Sequence, residues 1–308
     1  MAAREIIRVG TRGSELALWQ ANATEQLLRA AFPEVEVVRC VIKTTGDRRT
    51  DVALSEVAKS EGTLDKGVFT KELEMALEAG EIDVAVHSLK DVPTILADHF
   101  CIPATLERAG VRDALVSKIE GGLNALPQGA RVGTSSVRRA RQLQWLRPDL
   151  LLSDLRGNVP TRLKKLRDAD DYDAIMLAEA GLERLGYLPN TDERLFYHIL
   201  DEEMFFPAAG QGAIGLEVRS DDDWMKATVE RVGDSDTYLR ISAEREFLRL
   251  LDAGCHTPVG VFSILDHEEL IMSARVFPEA GGEPLLSHVR GSRFAPLEVA
   301  KQLFETLV

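Results

Sequence analysis

The sequence is poor in the residues that staple a fold, ligate a metal or cross a membrane. Only three cysteines occur in 308 residues, Cys40, Cys101 and Cys255. An odd count without paired spacing indicates neither a disulfide framework nor a zinc site, and no metal is expected. No apolar run approaches the roughly 18 residues of a membrane span. A Walker A loop is missing, and no G-x-G-x-x-G turn stands at a strand-to-helix junction, which argues against a nucleotide. Positive charge is in deficit: 37 Lys and Arg stand against 50 Asp and Glu, a net charge of −13. That balance argues against general affinity for nucleic acid or an acidic membrane. The opening MAAREIIRVG carries an acid and two arginines and runs straight into a strand-like segment. No secretory signal is therefore expected, and a reducing cytoplasm fits.

What is present reads as an ordinary globular chain, 45% hydrophobic and 28% charged, long enough for two or three domains. Residues 6–9 and 35–42 read as strands, the second containing Cys40 as a core residue, with a helix between them capped by Ser14. Residues 44–66 are polar and read as a mobile loop; a helix over 69–79 follows, ending at Gly80. The stretch around which the chain is organised is IDVAVHSLKDVP, residues 82–93. It starts as a buried strand and turns polar at His87, Ser88, Lys90 and Asp91. Open α/β sheets place ligand chemistry at such strand ends. Taken alone, the Lys90–Asp91 pair also fits a solvated loop. A short strand over 100–104 follows, with Cys101 again read as core.

A new unit begins at 113–116, and its strands over 131–132, 150–152 and 173–177 are each followed by a helical pattern. Such alternation implies a mainly parallel sheet. LGYLPNTDERLFYH reads as a linker, FPAAGQGAIGLEV as a return strand, and the rest as a small α+β domain with a helix over 238–250.

Charge is unevenly spread. Ten Lys and Arg lie between Arg131 and Arg167 against Asp149 and Asp154 alone. Three junctions share a design: TRGS with Arg12 and Ser14, GTSSVRRAR with Thr134, Ser135, Ser136, Arg138 and Arg139, and LRGNVPTRL with Arg156, Gly157 and Arg162. Arg184 follows a fourth strand. Free backbone N–H groups, a helix dipole and guanidinium forks together bind carboxylate or phosphate. Arginines in a first helical turn face the positive end of the dipole, so their repetition suggests an anionic ligand; the plain alternative is pairing with protein carboxylates. Trp145 is the one aromatic in the island, too few for a single-strand stacking surface. A polycarboxylate fits better. Cys255 stands apart, between Gly254 and His256 and ahead of Pro258. A thiol in a tight turn can serve as nucleophile, redox sensor or covalent anchor, or have no special role.

Eight stretches in order, TRGSELALWQA, FTKELE, VAVHSLKDVPT, VGTSSVRRARQL, LRGNVPTRL, AGLERLG, PAAGQGAIGLE and GCHTPVG, resemble the porphobilinogen deaminase (hydroxymethylbilane synthase) family over essentially the whole chain. The resemblance implies two periplasmic-binding-protein-like α/β lobes flanking a cleft, plus a small α+β domain carrying a cofactor cysteine. Domain 1 would be 1–105 with 206–222, domain 2 106–205, and domain 3 223–308. It implies a transferase that condenses four porphobilinogen molecules head to tail, with loss of ammonia, to hydroxymethylbilane. It also implies a dipyrromethane cofactor in thioether linkage to Cys255, and Asp91 as the catalytic carboxylate. Arg12, Ser14, Ser88, Lys90, Thr134, Ser135, Ser136, Arg138, Arg139, Arg156, Gly157, Arg162 and Arg184 would bind substrate and cofactor, with Lys66 and Phe69 beside an active-site loop. A cytoplasmic monomer is expected, without nucleic-acid or membrane partners.

Departures from the family pattern are His256 and Thr257 beside the anchor, Pro160 where glycine is common, a longer loop before Lys66, and Glu56 at a usually basic position. Two other readings remain at this stage. A non-catalytic two-lobed polycarboxylate-binding protein would need the arginines but neither Asp91 nor a modified Cys255. A nucleic-acid-binding protein using the cationic island would show steep salt dependence.

Overall fold

In a computed structural model, which describes residues 4–45, 69–189, 194–252, 257–278 and 281–307, the apolar alternation at the head of the chain becomes strand β1, Ile6–Arg12, with Ile7 and Val9 fully buried. Ser14 caps helix α1, Glu15–Ala31, by accepting from the Ala17 N–H at 3.3 Å. Then come β2, Glu36–Ile42, helix α2, Lys71–Glu78, and β3, Val84–Ser88. A 3-10 turn, Leu89–Asp91, follows before β4, Phe100–Thr105. Beyond Thr45, the loop expected over 44–66 lies outside the described residues.

The next unit is β5, Asp113–Ser117; β6, Arg131–Gly133; α3, Val137–Leu146; β7, Leu151–Ser153; α4, Val159–Asp168; β8, Ala174–Ala178; α5, Glu179–Arg184; and β9, Phe196–Ile199. The return strand is β10, Ile214–Arg219, followed by α6, Asp223–Val232, and α7, Ser235–Leu250. Strands β11, Val259–Asp266, β12, Glu269–Val276, and β13, Leu285–Ser292, form an antiparallel sheet that ends in helix α8, Pro296–Glu305.

The chain packs into two units, Met1–Ala109 with Ala213–Ile241 and Gly110–Gly212 with Ser242–Val308. Each holds a five-stranded sheet, ordered β2-β1-β3-β10-β4 in the first and β7-β6-β8-β5-β9 in the second. The pattern is the same in both. Three strands run parallel, the fourth is antiparallel, and the outermost pairs antiparallel to that fourth. The fourth strand arrives out of sequence order each time: β10 returns to the first sheet, and β5 opens the second. The parallel trios bring the carboxyl ends of β1 and β3 to one edge, and those of β6, β7 and β8 to another, where ligand sites form in such sheets.

Two segments read differently from the sequence. The linker-like stretch holds β9, anchored by the buried Leu195; its charged and proline-bearing surroundings mask a four-residue outer strand. Helix α6 was not expected as a separate element, and its buried Met225 and Val229 join the first unit's core with Val9, Leu28 and Val218. That places it after the expected 222/223 boundary yet within the first unit's packing.

The three-stranded sheet packs as part of the second unit through specific contacts. The Val261 N–H donates to the Pro207 carbonyl at 2.9 Å, and the Arg275 guanidinium lies between the rings of Phe206 and Trp145, 4.3 and 4.8 Å from their centroids. Gly260 makes this approach possible: a Cβ there would stand 2.4 Å from the Phe206 Cβ and 2.9 Å from its carbonyl oxygen. Gly260→Ala is expected to destabilise the protein by about 1–3 kcal/mol through overpacking, read as a lower denaturant midpoint. An unchanged midpoint would show that this contact is not close-packed.

Candidate active site

In the first unit, parallel pairing of β1 with β3 at Val9–Val84 and Gly10–Ala85 sends Arg12 and Ser14 to the same sheet edge as Ser88, Lys90 and Asp91. Alternation along β3 turns Val84 and Val86 into the core shared with α1, and Ala85 into the cluster formed with Leu73 and Leu77 of α2. Ser88 falls on the α1 side. There the Gln20 amide, 2% exposed, donates to its hydroxyl at 2.8 Å. The turn that follows is held by buried apolar residues on both sides of the charged pair: Leu89 and Val92 are each 1% exposed and pack with Ala213 and Ile241. The Leu89 N–H donates to the Ala213 carbonyl at 3.1 Å, and the Val92 N–H closes the turn onto the Leu89 carbonyl at 3.1 Å. Lys90 and Asp91 are thus presented half-buried from a pinned backbone. The Arg12 guanidinium covers the Phe69 ring at 4.2 Å, joining two of the expected site residues. Lys66 lies outside the described residues.

In the second unit, the other two helix-start motifs, GTSSVRRAR and LRGNVPTRL, form capped helix starts. Ser136 caps α3 by accepting from the Arg139 N–H at 3.4 Å, and the Thr134 hydroxyl accepts from the Ser136 N–H at 3.2 Å. The Ser135 hydroxyl donates to the Leu155 carbonyl and accepts from the Leu155 N–H, both at 3.1 Å. It thereby joins the β6–α3 and β7–α4 loops. Asn158 caps α4 by accepting from the Thr161 N–H at 3.0 Å, with Pro160 in the first turn, where its missing N–H costs nothing. Gly157 has φ +119, and a Cβ there would meet the Thr161 methyl at 2.9 Å, so this position requires glycine. Arg162 donates to the Gly157 carbonyl at 2.7 Å, and Arg156 is half-buried. Burial pushes the Arg184 guanidinium down to about 10, leaving it a cation at neutral pH; it donates to the Gly212 carbonyl at 2.7 Å.

Arg138 and Arg139 depart from the expectation that first-turn arginines await an anionic ligand. Both are buried, and both face Asp113 at the start of β5, which is itself fully buried. Arg138 pairs with one carboxylate oxygen at 2.7 Å, and Arg139 with the other at 2.6 Å. Arg139 also donates to the Met176 carbonyl at 3.0 Å, and the Gln211 amide reaches Asp113 at 3.2 Å. For these two the charge partner in the structure is internal. Cys40 and Cys101 are free and partly buried, and burial raises both thiols above their ordinary range, which makes them poor nucleophiles. Cys255 and His256 lie outside the described residues.

Sequence reading missed Gln20, Asp113 and Glu217. Each had a local signal. Gln20 lies on the buried face of α1 with Ala17, Ala21 and Leu28; Glu217 interrupts the apolar strand IGLEV; Asp113 opens a strand whose next four residues are buried.

Each α/β unit ends parallel strands in capped helix starts and basic residues, the donor groups that can hold carboxylates. Comparison with known families makes this specific. The family model described as "Porphobilinogen deaminase, dipyromethane cofactor binding domain" matches residues 7–227, and "Porphobilinogen deaminase, C-terminal domain" matches 238–306. The chain is 43% identical to the porphobilinogen deaminase of Moorella thermoacetica over 302 residues, 98% of this chain and 93% of that one. It is 46% identical to that of Syntrophomonas wolfei over 264 residues, covering 86% and 82% of the two chains. For the enzyme of Oceanobacillus iheyensis the identity is 42% over 307 residues, 99% and 94%. The chain belongs to the porphobilinogen deaminase family. Among solved structures it is similar to YhfZ from Shigella flexneri, at 15% identity and a TM-score of 0.40, covering 82% of this chain and 93% of that chain.

The buried Asp113 pairings give a direct test. Asp113→Ala would leave two arginines without their shared anion and is expected to cost about 3–5 kcal/mol, measured by urea unfolding. A loss below about 1 kcal/mol, the scale of an exposed pair, would contradict the buried clamp.

Proposed function

We propose that this chain condenses four porphobilinogen molecules head to tail, releasing ammonia at each step, to give hydroxymethylbilane for tetrapyrrole (haem-type) biosynthesis, with Asp91 as its catalytic residue. The observation that carries the reading is the pinned 89–91 turn at the carboxyl end of β3, in a chain matched to the family over 7–227.

Porphobilinogen bears an acetate, a propionate and an aminomethyl group on its pyrrole ring. Departure of ammonia leaves a cation on the substrate. A carboxylate at Asp91, half-buried on a fixed turn, stabilises that charge and takes the proton released when two rings join. Lys90 and Arg12 supply cations for the ring carboxylates, Ser14 and Ser88 supply hydroxyls, and Phe69 shields one face of Arg12. In the second unit, the α3 and α4 starts with Thr134, Ser135, Ser136, Gly157, Arg156 and Arg162, together with Arg184, offer the donors that a carboxylate-bearing chain requires. Arg138 and Arg139 hold the α3 start in place from beneath. Lys66, with Phe69, is assigned to the active-site loop.

The donor set fits a dipyrromethane cofactor, since it is rich in guanidinium and backbone N–H and suited to acetate and propionate side chains. Such a group, joined through the Cys255 sulfur, supplies the terminal pyrrole carbon to which the first substrate adds. Arg156, Arg162, Arg184 and Ser136 would hold it. We assign a three-part division, 1–105 with 206–222, 106–205 and 223–308, to this function, with α6 at the head of the third segment packed on the first unit, and place the protein in the cytoplasm as a monomer without nucleic-acid or membrane partners. Among the described residues no helix is long and apolar enough to cross a membrane.

Asp91→Asn is expected to fold and to carry the same pyrrole load as the parent protein, while turnover falls about 10²–10⁴-fold. Near-parental product formation would remove Asp91 from the mechanism. Product formation by the parent protein separates the enzyme from a solute-binding protein of the same architecture, which would bind porphobilinogen and release it unchanged.

A further inference from the structure

A buried polar pair lies directly beneath the Asp91 turn, and the chemistry above does not use it. The His87 Nε2 is 2.8 Å from the Glu217 Oε2, and the two residues are 5% and 0% exposed. Register explains the meeting. His87 on β3 stands opposite Gly215 on β10, so Glu217 is two residues further along the facing strand, on the same side of the sheet. The second carboxylate oxygen, Oε1, is buried without a hydrogen-bond partner. Glu74 of α2 faces the same cluster. Burial raises its carboxyl above the ordinary range; the charge of Glu217 adds to this, and His87 and His99 oppose it. Thr70, which precedes α2, follows Phe69 in the chain, so the polar cluster sits where two site-bearing segments meet.

A buried charged or proton-sharing pair is a costly way to fill space compared with apolar side chains, and its use here points to a requirement for position. The turn is tied on one side by Ser88 to Gln20 of α1, and below by Leu89 to Ala213. Gly215 lets Leu89 settle, since a Cβ there would come 2.7 Å from the Leu89 Cδ1. The His87–Glu217 bond adds a side-chain tether on the α2 side, at the last residue but one of β3.

We infer that His87, held by Glu217, is a positioning residue for Asp91: it locks the end of β3 against β10 and so sets the height of the catalytic carboxylate. The inference rests on the assignment of Asp91. In this arrangement the imidazole Nε2 and the Glu217 carboxylate share a hydrogen bond, and the imidazole takes no part in the chemistry itself.

His87→Leu is expected to retain the pyrrole load and a KM within about twofold of the parent, while kcat falls about 10- to 100-fold, the scale of a displacement near 1 Å. His87→Gln, whose amide nitrogen takes the place of Nε2, is expected to recover kcat to within about threefold. Parental kcat in His87→Leu, or a His87→Gln no better than His87→Leu, overturns the inference. A measurement on the unaltered protein stands beside these: a slowly exchanging His87 Nε2–H resonance is expected by NMR, and its absence overturns the pairing. The same resonance is expected in Asp91→Asn. Failure of the Asp91 assignment therefore shows as activity in that variant, whereas failure of the pairing shows as loss of the signal.

Discussion

A carboxylate cannot be kept charged in a protein interior without a cation or equivalent donors, and this acidic chain meets that constraint where its elements join. Asp83, 1% exposed at the entrance to β3, receives the Arg8 guanidinium of β1 through two bonds of 2.9 Å. Arg4 and Arg219 stand at 3.4 and 3.6 Å from the same carboxylate. Glu25 on α1 takes Arg29 and, through a short contact, Arg39 of β2. Asp113 takes Arg138 and Arg139, and Glu179 takes Arg112. Such pairs add little net stability over an apolar core, yet removing one member is severe. Their effect is register: β1 is tied to β3, α1 to β2, and β5 to α3. The strand ends that carry the site inherit their placement from these ties.

The same constraint refines the reading of the cationic island. A run of ten basic residues in an acidic chain looks like a surface for a polyanion. Two of the ten, Arg138 and Arg139, instead neutralise Asp113 from inside, and Arg147 pairs with Asp149 at 2.7 Å. Arg156 and Arg162 remain beside the capped start of α4, and Arg184 stays cationic despite burial. This smaller group, with the helix starts, is the set we propose for a ligand carrying acetate and propionate groups. Division of labour of this kind within one sequence cluster is a matter of which side of the helix each residue faces.

Local signals were legible in the sequence where the physics is local. The Ser14 and Asn158 caps, the strand beginning at Val84 and the return strand through Leu216 follow from spacing and capping chemistry within a few residues. What escaped depends on distant partners. Asp113 meets Arg138 across 25 positions, and His87 meets Glu217 across 130; no window along the chain contains both members. Strand β9 escaped because four residues of an outer strand give too short a period to stand out beside charges and a proline. Gln20 was legible only as an oddity, a polar residue on an apolar helix face, until Ser88 supplied its reason. The Lys90–Asp91 pair was visible from the outset, but nothing local showed that Leu89 and Val92 bury themselves on either side and hold it still.

The central proposal is that the chain is covalently primed through Cys255 with a dipyrromethane, and the intact mass of the purified protein under denaturing conditions tests it most directly. The account predicts an excess equal to two linked pyrrole units, carried by the peptide that contains Cys255. A mass equal to the bare chain, unchanged after incubation with porphobilinogen, would contradict it.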